Sequence, residues 1–377
     1  MQLKKGIRWA LIGLSVLSAT LVLTYFCMNS LGKTPGKDAV KSFEPLANYH
    51  DGEFRNSIPT EVTPKGKRWD VLKEYLLSRS SDREPKVPIP VSAIPGSVFD
   101  ETPSQAIRVY WLGHASLLLE IGQKRYLIDP VLCERASMVQ WLGPKRLHPS
   151  PLKAEDIGEV DGVIISHNHY DHLDYQTLKT IQGKVKRIFV PLGIRETLLS
   201  WGFDPTKIVE LNWWDSVMDG ENQLVVTPAR HFTGRTLFDT NKTLWCSWAI
   251  INSQQKVYFG GDSGMMPEYR EIGERLGPFD LTILGIGAYN ESWKDIHTNP
   301  AEAVEAHLQL RGRKLLPIHW GTFDLALHTW DEPIEWLEKE AIQRKIDLLT
   351  PEVGELVSVE NFRSKTWWKK KTEGLKD

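Results

Sequence analysis

The segment S-H-N-H-Y-D-H, residues 166–172, places three histidines and an aspartate within six positions. It directly follows the apolar run of residues 162–165. If the chain is extended up to His169, then His167 and His169 point to the same side, because strand side chains alternate. Asp171 and His172 follow as the chain turns, so all four can face one cavity. A neutral imidazole binds zinc well, and a carboxylate adds an oxygen ligand and charge compensation. One metal needs three or four ligands, and two metals about 3.5–4 Å apart need more.

The chain offers more donors at the ends of later apolar runs. His231 closes V-V-T-P-A-R-H, and His319 closes L-L-P-I-H. Asp262 stands in F-G-G-D-S-G, where glycines permit a tight turn. An aspartate between two metals can bridge them. The expected division is His167, His169, His231 and Asp262 on one ion, and Asp171, His172, Asp262 and His319 on the other. Taken singly, a strand-end histidine is more often structural than a ligand. The HxHxDH cluster, which is rare, turns the joint reading toward metal. The three cysteines form no CxxC pair and no disulfide framework. Histidine-rich ligation favours two divalent ions of the zinc type, although iron or manganese fill similar mixed sites.

The 377 residues carry a net charge of −2, which disfavours nucleic acid as a main partner. Residues 9–28 are uncharged over about 20 positions, enough for a membrane-spanning helix. Lys4, Lys5 and Arg8 in the basic flank 1–8 favour the N-terminus inside. The segment is long for a cleaved signal peptide, and Ser18-Ala19-Thr20 makes a poor cleavage site. The expectation is therefore a single-pass anchor with the body outside the cytoplasm, on the periplasmic side in a Gram-negative cell. Residues 29–105 read as a stalk and N-terminal arm, with one short helix near 68–77. Residues 361–377 form a basic aromatic tail whose Trp367-Trp368 pair could touch a membrane interface or fray in solvent. Nothing in the sequence sets an oligomeric state.

Between these flanks lies the predicted domain, residues 106–360. Strands are expected at 107–121 and 124–130 with a turn at Gly122, then at 162–166, 187–191, 207–211, 223–228, 244–251, 256–261, 280–285, 314–318 and 355–359. Helices are expected at 175–182, 194–201, 267–275, 300–310 and 334–343. Early strands pair as hairpins and later ones alternate with helices, which suggests sheets covered by helices.

HxHxDH followed by a distant His, Asp and His at strand ends resembles the metallo-β-lactamase superfamily. W-L-G-H-A-S-L-L-L-E, I-D-P-V-L-C-E-R-A-S, W-L-G-P-K-R, I-H-T-N-P-A-E-A-V and I-H-W-G-T-F narrow the likeness. So does Y-H-D-G-E-F-R-N. Together they resemble the N-acylphosphatidylethanolamine-hydrolysing phospholipase D group. The resemblance implies an αββα sandwich, two sheets with helices outside and metals at one edge. It also implies hydrolysis of a phosphodiester, such as a phospholipid, by a hydroxide that two metals make available near neutral pH. Asp171 would help orient that water. His297, in D-I-H-T-N-P, would touch substrate or leaving group, although it could merely occupy a capping loop. Asp129 in Y-L-I-D-P either orients a ligand imidazole or caps a turn with Pro130. His114 reads as structural. Lys145, Arg146 and Arg235 could meet a phosphate but are more often plain surface charges. Trp213, Trp214, Trp245 and Trp248 read as core or pocket wall. A lactonase or other carboxylic-ester hydrolase is the alternative on the same metals, and a tethered binding protein without activity is a third reading.

Overall fold

The apolar runs that precede the metal-capable residues become strands of two stacked seven-stranded sheets. The structure, a computed structural model, describes residues 28–62 and 83–369, with Leu14 and Lys73 as single positions. The anchor expected at 9–28 therefore lies, apart from Leu14 and Met28, outside the described residues, and so does nearly all of the helix expected at 68–77. Among the described residues, no helix is long and apolar enough to cross a membrane.

The strands in chain order are β1 (Tyr49–His50), β2 (Glu53–Phe54), β3 (Arg108–Gly113), β4 (Ser116–Ile121), β5 (Lys124–Ile128), β6 (Val160–Ile164), β7 (Val185–Pro191) and β8 (Ile208–Leu211). They continue with β9 (Ser216–Asp219), β10 (Asn222–Thr227), β11 (Ser247–Ile251), β12 (Lys256–Phe259), β13 (Phe279–Gly285), β14 (Gly312–Ile318), β15 (Asp347–Leu348) and β16 (Leu356–Ser358). The helices are α1 (Lys37–Phe43), α2 (Tyr175–Ile181), α3 (Ile194–Ser200), α4 (Glu268–Arg275), α5 (Pro300–Gln309) and α6 (Glu332–Arg344). One sheet has the order β16-β3-β4-β5-β6-β7-β8, the other β15-β14-β13-β12-β11-β10-β9.

Strand alternation explains the layering. In β4, Leu117 and Leu119 enter the core between the sheets, while Leu118 joins the layer under α2 and α3. Leu224, Val226, Trp248 and Ile250 come from the second sheet to meet the inner face of the first. On the outside of that second sheet lie α4, α5 and α6, with Ile272, Val304 and Leu337 buried. This is the expected αββα sandwich. The edge strands β9 and β15 and the ribbon β1–β2 were not expected. They are two to four residues long, too short to show a clear alternation.

The aromatic tail expected at 361–377 is corrected by the structure as far as Lys369, and residues 370–377 lie outside the described residues. Trp367 and Trp368 are 3% and 2% exposed, so they are neither frayed nor free to meet a membrane interface. Trp367 stacks on Trp320 at 5.2 Å, Trp320 stacks on Trp111 at 5.4 Å, and Trp367 Nε1 donates to Pro351 O. The apolar pair thus packs onto the sandwich beside Trp320, one residue from His319.

Two stability predictions follow from this packing. Trp367→Ala should destabilise the protein by about 3–5 kcal/mol, read as a lower Tm, whereas a frayed tail would leave Tm unchanged. The second concerns His307, buried in α5 against Thr282. Burial holds its pKa down at about 4. The unfolded chain then takes up the proton first as pH falls. The stability tied to neutral His307 is full above about pH 6.5 and is lost toward pH 4, to an extent on the order of 3 kcal/mol. His307→Gln should flatten the pH dependence of the denaturation midpoint in that window, and an unaltered slope would refute it.

Candidate metal centre

Strand directions bring the donors together. β3, β5, β6, β10, β12 and β14 all run the same way across their sheets, as the pairing registers require. Each therefore ends at the same edge, and each is followed by a candidate residue: His114, Asp129, the 167–172 segment, His231, Asp262 and His319. The two sheets are tied where these ends meet. Cys246 N donates to Ser166 O, Trp248 Nε1 to Ile165 O, and His319 N to His114 O.

All seven expected ligands converge. His167 Nε2 lies 2.8 Å from His169 Nδ1, which lies 3.2 Å from His231 Nε2. Beside this trio, His172 Nε2 and His319 Nε2 each lie 3.6 Å from Asp171 Oδ2. Asp262 stands between. Its Oδ2 is 3.9 Å from His167 Nε2, 3.7 Å from His231 Nε2 and 3.1 Å from His172 Nε2, and its Oδ1 is 3.1 Å from His319 Nε2. These distances bring the seven residues together around Asp262.

The protonation pattern fits a cation. Asp129 Oδ2 accepts from His172 Nδ1 at 2.7 Å and from Ser166 Oγ, while His167 Nδ1 donates to Ser166 Oγ at 2.9 Å. His231 Nδ1 donates to Ile296 O. These bonds leave the Nε2 lone pairs of His167 and His231 facing inward, while His172 Nε2 faces Asp262 Oδ2. Lone pairs of His167 and His231 would then crowd His169 Nδ1, an arrangement that a cation relieves. His172 Nε2, His319 Nε2 and Asp262 Oδ1 are buried and have no hydrogen-bond partner in the protein. The trio His167, His169 and His231 could hold one ion, and His172, His319 and Asp171 another.

Electrostatics agree. Burial drives His114 down to about 3, and His169 and His297 to about 4, so these rings are neutral ligands or wall groups. Burial also opposes charge on His319, yet Asp262 and Asp171 outweigh it and raise it to about 9. The buried carboxylates thus call for positive charge between them.

Asp129 takes the orienting role toward His172, not merely a turn cap. Two further groups were missed from the sequence. His114 was read as structural, but its Nε2 donates to Asp171 Oδ2 at 2.9 Å and its ring lies 3.9 Å from that of His319. Ser166 carries the link from Asp129 to His167. The available signal for both was position: each sits at the end of a strand that runs to the metal edge. His114, Asp129 and His319 all adopt positive φ, a backbone cost that often marks functional sites.

The three cations do not reach a phosphate position. Arg146 is buried and bonds Leu112 O and Val131 O. Arg235 bonds Asn168 O, Leu173 O and Ser30 O, bracing the histidine loop. Lys145 pairs with Glu134 at the surface.

A cavity of about 380 Å³ opens over the donors, lined by His169, Asp171, Asp262, His297 and His319 with Phe232, Trp293 and Ile296 among its apolar walls. His297 Nδ1 is 3.9 Å from Asp262 Oδ2, and His297 also lines a neighbouring cavity of about 340 Å³. The wall tryptophan is Trp293. Trp245 and Trp248 are core residues.

A sandwich with this donor set at its edge defines a metallo-hydrolase class. The beta-lactamase superfamily domain matches residues 124–320, and the chain belongs to that superfamily. Within it, the chain is similar to N-acyl-phosphatidylethanolamine-hydrolyzing phospholipase D 1 of Caenorhabditis elegans, with 39% identity over 264 residues, 65% of this chain and 74% of that one. It is also 40% identical over 364 residues to an uncharacterized protein of Mycobacterium tuberculosis, covering 93% of this chain and 97% of the relative. Among solved structures, Igni18, a metallo hydrolase of Ignicoccus hospitalis, shares the fold with a TM-score of 0.51 at 22% identity. That match covers 69% of this chain and all of the other.

The hydrogen bond from His172 to Asp129 makes a prediction. Asp129→Asn should weaken metal affinity about 10–100-fold, measured by chelator competition. Unchanged affinity would reduce Asp129 to a turn residue.

Proposed function

We propose that this metal-dependent hydrolase is a dinuclear phosphodiesterase of phospholipase D type, acting on N-acylphosphatidylethanolamine or a related phospholipid. The observation that carries the reading is Asp262, set between two donor groups beneath an open, partly apolar cavity. The likeness to the nematode phospholipase D supports the substrate class. Two divalent ions of the zinc type, when bound, would supply Lewis acidity that makes water acidic near neutral pH and offsets charge on the phosphoryl group.

The chain's own residues divide the remaining work. His167, His169, His231 and Asp262 would hold one ion, and Asp171, His172, His319 and Asp262 the other. Asp171, held in place by His114, orients the attacking water. His297 stands on the wall where the leaving alcohol departs. Water's oxygen forms the new bond to phosphorus, the bond from phosphorus to the headgroup oxygen breaks, and the proton ends on the released alcohol. Residues 9–28 anchor the protein in a membrane with the body outside the cytoplasm, on the periplasmic side in a Gram-negative cell.

Two substitutions test this directly. His169→Ala and Asp262→Ala should each lower cleavage of a bis-aryl phosphate more than about 100-fold and reduce the bound metal measured on the same sample. Wild-type protein that holds metal yet cleaves lactones and not diesters would move the assignment to the ester branch.

A further inference from the structure

Two loops beside the cavity end in exposed apolar tips. Trp141 is 74% and Leu142 60% exposed, and Leu237 and Phe238 are 82% and 73% exposed. Exposed side chains of this size are uncommon in clusters on a soluble surface, and they mark interaction sites. Neither tip is a loose end. Gln140 Oε1 accepts from Arg135 N and its Nε2 donates to Arg135 O, which closes the first loop behind Trp141. In the second, Asp239 accepts from the backbone of Arg235 and Thr236, and Thr236 Oγ1 accepts from Phe238 N.

Both loops leave the wall of the catalytic cavity. The first starts at Ala136, which lines it, and the second starts three residues after Phe232, which also lines it. Tyr170, another wall residue, donates to Arg235 O and lies under its guanidinium at 4.0 Å. Ser30 sits between the loops. Ser30 Oγ donates to Met138 O in the first loop, and Ser30 O accepts from Arg235 in the second. Ser30 is the second residue after the uncharged segment 9–28. The point where the chain leaves that segment is therefore pinned between the two apolar tips. Lys33 and Lys37 follow it and are exposed.

We propose that this face, carrying Trp141, Leu142, Leu237 and Phe238 around Ser30, docks on a lipid bilayer and turns the mouth of the metal cavity toward it. Trp and Phe settle at the headgroup level, and the exposed lysines suit an anionic leaflet. The anchor and the tips then act as one contact, and a lipid headgroup reaches the cavity from the bilayer. The inference rests on the membrane-anchored phosphodiesterase reading above.

The test uses the full chain in nanodiscs containing a diazirine-bearing phosphatidylcholine, with adducts mapped by mass spectrometry. Adducts are expected in residues 136–143 and 235–240, and not in α6, where Ile342 is equally exposed at 74%. Adducts confined to residues 1–28, or equally abundant in α6, would overturn the docking geometry. Replacing all four tip residues by serine should raise KM for a vesicle-borne diester about tenfold while leaving soluble bis-aryl phosphate cleavage unchanged. An equal loss on both substrates would count against docking. A wild-type protein that cleaves neither diester would instead refute the phosphodiesterase reading, and the adduct map would still decide the docking.

Discussion

Everything at the metal edge depends on a carboxylate that cannot stay buried alone. Asp262 is almost fully enclosed, and its burial opposes ionisation, yet His172 and His319 hold it well below the usual carboxylate range. Asp171 is held down in the same way by His172 and His114 against its own burial. Removing such charges from water costs several kcal/mol each unless partners repay it. Imidazoles whose outer nitrogens are already committed cannot all donate inward. A divalent metal would resolve both shortages, the missing positive charge and the missing acceptor for lone pairs.

The fold's task is to hold these groups still. Gly261, just before Asp262, adopts φ +56, and a Cβ there would stand 2.7 Å from Ser166 Cβ. That contact presses the turn of one sheet against the histidine loop of the other. Ser166 in turn fixes His167 and Asp129, and Asp129 fixes His172. The carboxylate in the second sheet and the imidazoles of the first are thus coupled through a few tight backbone approaches. A sandwich suits this because strands of both sheets end at one seam.

Much of this was legible in the sequence. His167, His169, Asp171, His172, His231, Asp262 and His319 all follow apolar runs, and periodicity alone places strand ends. What escaped detection has one physical cause in common. His114, Ser166 and the burial of Trp367 depend on contacts across long sequence separation, which no local pattern encodes. Arg146 and Arg235 misled for the same reason: a guanidinium in a loop looks exposed until the carbonyls it satisfies are known. The short edge strands escaped for a different reason, since two to four residues carry too little alternation to register.

The arm before the sandwich shows why a stalk is an incomplete description. Asn56 Nδ2 donates to His231 O, while its Oδ1 accepts from His231 N and from Trp245 Nε1. Arg230 bonds Pro59 O and Thr60 Oγ1, and Glu61 N donates to Asp295 Oδ2 two residues before His297. The arm therefore satisfies the backbone on both sides of a metal-facing histidine and braces the loop that carries His297. These groups lie past the end of β10, where no ladder can pair them, and leaving them unsatisfied would cost about 1–3 kcal/mol each. The arm is consequently also a wall of the site, and Val62 at its end lines the cavity. Geometry at the metal edge is then set in part by a stretch of chain outside the sandwich.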